Sequence, residues 1–407
     1  MNIKITVGLY ILLSLFYAFA VLPGEGPDEI AHLIYIRSLA LDGKLPEIAH
    51  TETSTLDCKS THEGHQPPLY YALCAPVYRA CGAAGMSPRN IDLVLRVFTI
   101  IISALWVFAS YRLIYELTGS LNRARWGALA LALLPCVSYA GGMVNNDMLE
   151  SLFFTAALIP LARFVRRKET DTKGFVIFGL LTGLACLTKA QGLILPLIAL
   201  CAAAFARSKK SLREFAAGIF VFLIVSAWWY IRCKIVLGTF MPQSLVNKAV
   251  EGGMIVMLFM NPVTNLLAVT SLTACTLGNF VEPLWIVQPF IGGAHRLLIP
   301  LWIGVFVLIV GAVISRKKRL FSRRMFAFAA LPLVITYLSY LRYVFTVDYM
   351  AANQGRLFFP VAACMTALCL WSLEWTRNKK RTAAGVCVLF AAMNVMTMIC
   401  TLMFYYN

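Results

Sequence analysis

Charge is scarce along this chain, and acidic charge is scarcest of all. Only 14% of the 407 residues are charged, with 19 Asp and Glu against 36 Lys and Arg. About a quarter of a typical soluble domain is charged, so an ordinary soluble fold is excluded. Twelve cysteines are present but no two form a CxxC pair, which removes the usual zinc and dithiol redox motifs. His62-Glu63-Gly64-His65 lacks the helical HExxH spacing, so it leaves room for a divalent cation without requiring one. Short alternating strands, the mark of an outer-membrane barrel, are missing.

What remains is apolar sequence, 60% of the chain. Runs of about 20 residues recur, enough to cross a hydrocarbon core of about 30 Å, and each must be helical because lipid offers backbone amides no partner. The pattern predicts eleven spans near 4–22, 92–117, 125–143, 148–165, 174–188, 191–206, 213–231, 297–315, 326–345, 357–375 and 382–404. The expected fold is therefore all-α: a single polytopic helical domain over 1–407. Ala18-Phe19-Ala20 resembles a signal-peptidase site, but the full spanning length before it favours an uncleaved anchor.

The net charge of +17 does not point to nucleic acid. The basic residues sit in short runs between apolar segments, such as Arg166-Arg167-Lys168, Arg316-Lys317-Lys318-Arg319 and Lys379-Lys380-Arg381, as the positive-inside bias demands. With a cytoplasmic N-terminus, 22 of the 36 basic residues fall in inside loops. Those loops are short and hold no nucleotide-binding domain, and Glu169-Thr170-Asp171 among them is discounted as a nucleotide-sugar motif. Chemistry is then expected on the outer face.

There the sequence gathers polar groups. The first outer loop, within 23–91, carries Glu25, Asp28, Glu29, Asp42, Glu47, Glu52, Asp57 and Glu63, with His32, His50, His62 and His65. A second outer loop is expected over 232–296, with an apolar stretch at 255–275 that is either re-entrant or interfacial. Residues 67–83 read as an interfacial helix, with Tyr70, Tyr71 and Tyr78 suited to the headgroup belt. Residues 28–41 read as another, dipping Ile30, Leu33, Ile34 and Leu41 into lipid while Asp28, His32 and Arg37 stay wet.

An acid at the membrane boundary suits a general base, which marks Asp28 and Glu29. Asp28 also opens a helix in the bland reading, and Asp147 after Asn145-Asn146, taken alone, reads first as a turn. Lys189 and Arg356 are cations at membrane depth, where charge is costly and usually functional or snorkelling; beside acids they suit a phosphate. Arg342 either pairs with Asp348 or reaches the same cavity. Cys58 has Cys74 or Cys81 as conceivable disulfide partners, though nothing requires a bond.

The order of motifs adds a further reading. Pro27-Asp28-Glu29-Ile30-Ala31-His32 with Tyr35 and Gly43-Lys44-Leu45-Pro46 follows the first span. Next come His65-Gln66-Pro67-Pro68-Leu69-Tyr70-Tyr71, then Arg96 in the next long span. This series resembles the GT-C superfamily of integral-membrane glycosyltransferases, which includes protein O-mannosyltransferases and bacterial aminoarabinose transferases. Asn145-Asn146-Asp147, Leu187-Thr188-Lys189 and Gln354-Gly355-Arg356-Leu357-Phe358-Phe359-Pro360 resemble a bacterial branch of it.

The resemblance covers most of 1–360. It implies transfer of a sugar from a polyprenyl-phosphate carrier to a glycan, lipid or protein acceptor, in contact with membrane lipids. It implies Asp28 as base with Glu29 beside it, Asp147 as the second acid, and Lys189 and Arg356 on the leaving phosphate. His32, His65, Gln66 and Gln354 would contact substrate. The chain departs from larger relatives in having no soluble C-terminal domain, which leaves acceptor recognition to the outer loops. Two rivals remain at this stage: a transporter or lipid flippase, and a polysaccharide ligase or polymerase.

Overall fold

The computed structural model describes residues 2–45, 62–167, 172–206, 209–241, 323–346, 355–373 and 378–406. Among them regular structure is helical throughout. The expected span over 297–315, the interior of the second outer loop, His50, Asp348, Gln354, Glu169-Thr170-Asp171 and Cys58 lie outside the described residues.

In chain order the helices are α1 (Ile3–Ala20), α2 (Glu29–Arg37), α3 (Leu69–Ala83), α4 (Pro88–Thr118), α5 (Leu121–Leu133), α6 (Pro135–Gly141) and α7 (Asp147–Arg167). After them come α8 (Thr172–Thr188), α9 (Ile194–Ala206), α10 (Lys209–Leu237), α11 (Arg323–Thr346), α12 (Ala362–Ser372) and α13 (Lys379–Tyr406). Helices α1, α4, α7, α10, α11 and α13 are long and apolar enough to cross a membrane, so this is an integral membrane protein. Helices α8 and α9 and the run Gly355–Trp371 are apolar but shorter. The second outer loop starts later than expected, because α10 carries the chain helically to Leu237.

Local chemistry sets the boundaries. Asn2 caps α1, its Oδ1 accepting from the Lys4 amide at 3.2 Å. Pro88 occupies the first turn of α4, where its missing N–H costs nothing. Gly119 closes that helix at φ +64°, a conformation glycine adopts without a Cβ penalty. The expected span 125–143 is broken by Pro135. Leu134 ahead of it is held extended at ψ 122°, as a residue before proline prefers, and α6 restarts with the proline in its first turn.

The two juxtamembrane helices depart from expectation in what they bury. Helix α3 has 15 residues, fewer than the ~20 a span needs. Its Tyr70 and Tyr71 are fully buried and Tyr78 is nearly so, so they form core rather than a headgroup belt. In α2 Ile30 is exposed, whereas Leu33 and His32 are buried against α3; His32 is not the wet residue its polarity suggested. The reason is pairing, since the α2 and α3 polar groups satisfy each other. Tyr71 Oη lies 3.0 Å from His32 Nδ1, and Tyr35 stacks on Tyr71 at 3.7 Å.

Helices α8 and α10 pack backbone to backbone. Gly179 and Gly183 are one turn apart on α8. A Cβ on Gly179 would overlap the Gly218 carbonyl oxygen, and one on Gly183 would lie 2.6 Å from Val225 Cβ. Small residues four apart allow this close approach, which supplies the packing that lipid cannot drive hydrophobically. Gly179→Ala should therefore force the helices apart and lower stability by about 1–3 kcal/mol. Gly8→Ala and Gly385→Ala, whose new methyls would meet nothing within 4 Å, should not. Thermal unfolding in detergent separates the two cases.

Candidate active site at one end of the bundle

The first loop is tied down by a buried ion pair. Arg96, in α4, is 0% exposed and Glu29 1%. Arg96 Nε donates to Glu29 Oε1 at 2.8 Å and its Nη2 to Oε2 at 2.6 Å. The same guanidinium donates to the carbonyls of Ala18 (2.8 Å), Val21 (2.6 Å) and Leu22 (2.9 Å), the orphan acceptors at and beyond the end of α1. Glu29 in turn accepts from the amides of Gly24 (3.0 Å), Gly26 (3.1 Å) and Val144 (3.0 Å). Five donated bonds thus converge on its two oxygens, leaving no lone pair turned toward a substrate.

That network throws the neighbouring residue outward. Asp28 sits at φ +58°, ψ 11°, the only described non-glycine residue with positive φ. Asp tolerates this left-handed region better than most residues, at a cost of order 1 kcal/mol. Its carboxylate pairs with the Arg356 guanidinium, which also meets Asp147 Oδ2 at 3.3 Å. Asp147 is paired with Lys189. The sequence Asp28–Arg356–Asp147–Lys189 is one chain of alternating charge drawn from four separate segments.

Each member is held from behind. Asn145 caps α7, its Oδ1 accepting from the Met148 amide at 3.3 Å, which fixes Asp147 in the first turn. Asn146 donates to the Thr188 carbonyl at 3.3 Å, next to Lys189. Gln191 donates to the Leu357 carbonyl at 2.7 Å, joining the Lys189 turn to the Arg356 turn. Below, Trp106 Nε1 donates to Thr155 Oγ1 (3.1 Å), which donates to the Pro360 carbonyl (3.3 Å). Side-chain exposure is 30% for Asp28, 16% for Lys189, 13% for Arg356 and 3% for Asp147. Asp28 is the outermost member.

Electrostatics keeps the chain charged. Burial pulls the Lys189 ammonium down and Arg356 adds to this, but the charge and hydrogen bond of Asp147 together with Glu150 outweigh both and hold Lys189 above the ordinary lysine value. His32 goes the other way. Burial lowers its pKa more than Glu63, Asp28 and Asp147 raise it, and Arg356 adds to the lowering. His32 is therefore neutral at pH 7, its Nδ1 against the Tyr71 hydroxyl.

His65 and Gln66 lie in the turn before α3, with Gln66 Nε2 3.3 Å from His65 Nε2. They join the site through their backbone: Tyr35 Oη donates to the Gln66 carbonyl at 3.2 Å. Arg342 is exposed on α11. Among the described residues no group of three His, Cys, Asp or Glu side chains converges as a metal site would need, and Asp28 and Asp147 are each engaged by a cation. Among the described residues Cys74 and Cys81 form no disulfide.

Two acids escaped the sequence reading of the site. Glu63, weighed only as a metal ligand, is 7% exposed and acts electrostatically on His32 and Arg356. Glu150 is 1% exposed, one turn into α7 from Asp147, and its Oε1 has no hydrogen-bond partner among the described residues. Its signal was present: an acid three residues from Asp147 shares a helix face with it and is expensive inside an apolar span.

Residues 82–231 match the family model described as dolichyl-phosphate-mannose-protein mannosyltransferase. Curated proteins give no match. Among solved structures, ArnT from Cupriavidus metallidurans in the apo state superposes with a TM-score of 0.58 over 95% of this chain and 62% of its own, at 17% identity. ArnT bound to undecaprenyl phosphate gives 0.56 over 97% and 74%, at 15% identity. The apo oligosaccharyltransferase of Archaeoglobus fulgidus gives 0.55 over 98% and 56%, at 16% identity. The chain therefore shares the fold of ArnT and of the Archaeoglobus fulgidus oligosaccharyltransferase. The chain spans about three fifths of the length of the apo ArnT structure it matches.

Two outcomes test this geometry. Arg96→Leu leaves Glu29 buried without its cation and should cost about 3–5 kcal/mol, the usual penalty for breaking a buried pair, read as a fall in unfolding temperature. Acid should act through His32. Its folded pKa lies below the ordinary 6.5, so the unfolded chain binds the proton more readily and stability falls as pH drops below 6.5. In His32→Gln that part of the pH slope should be missing from the melting curves.

Proposed function

We propose that this protein transfers a sugar from a polyprenyl-phosphate carrier to a glycan, lipid or protein acceptor at the outer face of a bacterial inner membrane. The observation that carries the reading is the alternating run Asp28–Arg356–Asp147–Lys189 at one end of a GT-C-type bundle. A lipid-linked donor needs cations at headgroup depth for its phosphate and a base beside them for the acceptor. Arg356 and Lys189 supply the first, and Asp28 is the accessible acid next to Arg356. The ArnT structure with undecaprenyl phosphate supports a lipid phosphate as the ligand of this fold. The short, basic inside loops support placing the site outside.

The chemistry is a direct displacement. The acceptor oxygen forms a bond to the sugar's anomeric carbon and gives its proton to Asp28. The bond from that carbon to the phosphate oxygen breaks, and its electron pair stays on the phosphate. The donor phosphodiester carries one negative charge and the leaving polyprenyl phosphate two, while Asp28 loses one on protonation, so the site's total charge is conserved. Charge thus develops opposite Arg356 and Lys189, where fixed cations are most effective. Asp147 holds both cations in place. Glu29, expected beside Asp28 as a reacting acid, supports the loop instead, its two oxygens being fully engaged by donors.

The test is release of free lipid phosphate from a panel of polyprenyl-phosphate sugars by protein in lipid. Asp28→Asn should lose about 10²–10⁴-fold in turnover, the range for a general base. Arg356→Gln should lose about 10²–10³-fold, as for a lost electrostatic donor. Full activity in Asp28→Asn removes it as the base, and no release from any donor by folded wild type removes the reading altogether.

A further inference from the structure

The four charges at the site are already satisfied. Two cations, Arg356 and Lys189, face two carboxylates, Asp28 and Asp147, so the run is neutral before any substrate arrives. An anionic ligand that meets a neutral, internally paired site cannot simply add to it. Its phosphate oxygens need the same N–H groups that the carboxylates hold, and a further uncompensated charge at a largely buried site is strongly disfavoured.

We propose that Asp28 occupies the phosphate's place on Arg356 in the resting protein, and that the donor frees its own base by displacing it. This rests on the function proposed above. Charge counting says which acid must leave. Within the run, two cations against Asp147 and a donor phosphodiester, with one charge, are again neutral, and Glu63 already adds negative potential at Arg356, so one carboxylate of the run is in excess. Asp147 bridges both cations and is 3% exposed, whereas Asp28 pairs with Arg356 from the outer side and is 30% exposed. Asp28 is the member with somewhere to go. Asp28 is the N-cap of α2, where only its carbonyl joins the helical ladder, accepting from the His32 amide at 3.1 Å, so its side chain can swing without unwinding a turn.

Two consequences follow for the enzyme. Donor must bind before a competent base exists, so the order of substrates is compulsory. In the absence of donor, the Asp28 carboxylate stays on Arg356 and is not turned toward another hydroxyl or toward water.

The proposal makes the carboxylate a competitor of the ligand, which reverses the usual expectation for a catalytic residue. Binding of farnesyl methyl phosphate, a diester with the donor's single charge, is measured for wild type, Asp28→Asn, Arg356→Gln and the double variant, with farnesol as the uncharged control. Asp28→Asn should bind the phosphate about tenfold more tightly than wild type, within the range measured for coupled charge pairs, and farnesol unchanged. In the Arg356→Gln background the same change should gain less than about twofold, because nothing is left to compete for.

An equal gain in both backgrounds would mean through-space repulsion and overturn displacement. Unchanged or weaker binding by Asp28→Asn overturns it too, while leaving the lipid-phosphate reading intact. Phosphate and alcohol binding equally to wild type would sink that reading itself. If Asp28→Asn fails to fold, Asp147→Asn in the same cycle takes its place: displacement predicts a smaller gain there, since Asp147 stays on Lys189, and a gain equal to or above tenfold would name Asp147 as the acid that leaves.

Discussion

Everything at the site hangs on one guanidinium placed where no water reaches it. Arg96 collects the loose carbonyls at the end of α1 and the Glu29 carboxylate, and Glu29 passes the constraint on to the Val144 amide. A charge buried this deeply is tolerated only when paired and fully hydrogen-bonded. Once that condition is met, the end of α1, the start of α2 and the turn ahead of α7 are one rigid corner. Asp28 and Asp147 are then set relative to each other by a structure that touches neither directly.

The helices and the site's ends were largely legible from the sequence; the loop between them was not. Spans follow from apolar length, and the structure moves most described boundaries by a few residues, the main exceptions being the start of the second outer loop and the break at Pro135. That Asp28, Asp147, Lys189 and Arg356 meet was also readable, because each sits at a helix end on the same predicted face. What composition cannot show is which of two adjacent acids turns inward. Asp28 and Glu29 are chemically alike, and their fates part only because Arg96 approaches from α4, nearly seventy positions away.

The burial of His32, Tyr70 and Tyr71 was hidden for a related reason. Amphipathic periodicity tells a helix lying on lipid from one buried only when the second surface is apolar. Here α2 and α3 bury polar rims against each other through Tyr71, Tyr35 and His32, so the pattern reads as a water-facing edge. The Gly179–Gly183 spacing was visible but silent, since its partner Gly218 lies beyond an intervening helix.

The origin of the four charges has a consequence for how the chain comes into being. Asp28 and Asp147 are made and inserted long before Arg356, which lies 328 positions after Asp28. Through most of synthesis both carboxylates lack their shared cation, and Lys189 is the first relief for Asp147. A turn made late in this order therefore neutralises a loop made long before it. A chain stopped short of that turn carries an unbalanced acidic end, a chemical mark by which incomplete copies differ from finished ones.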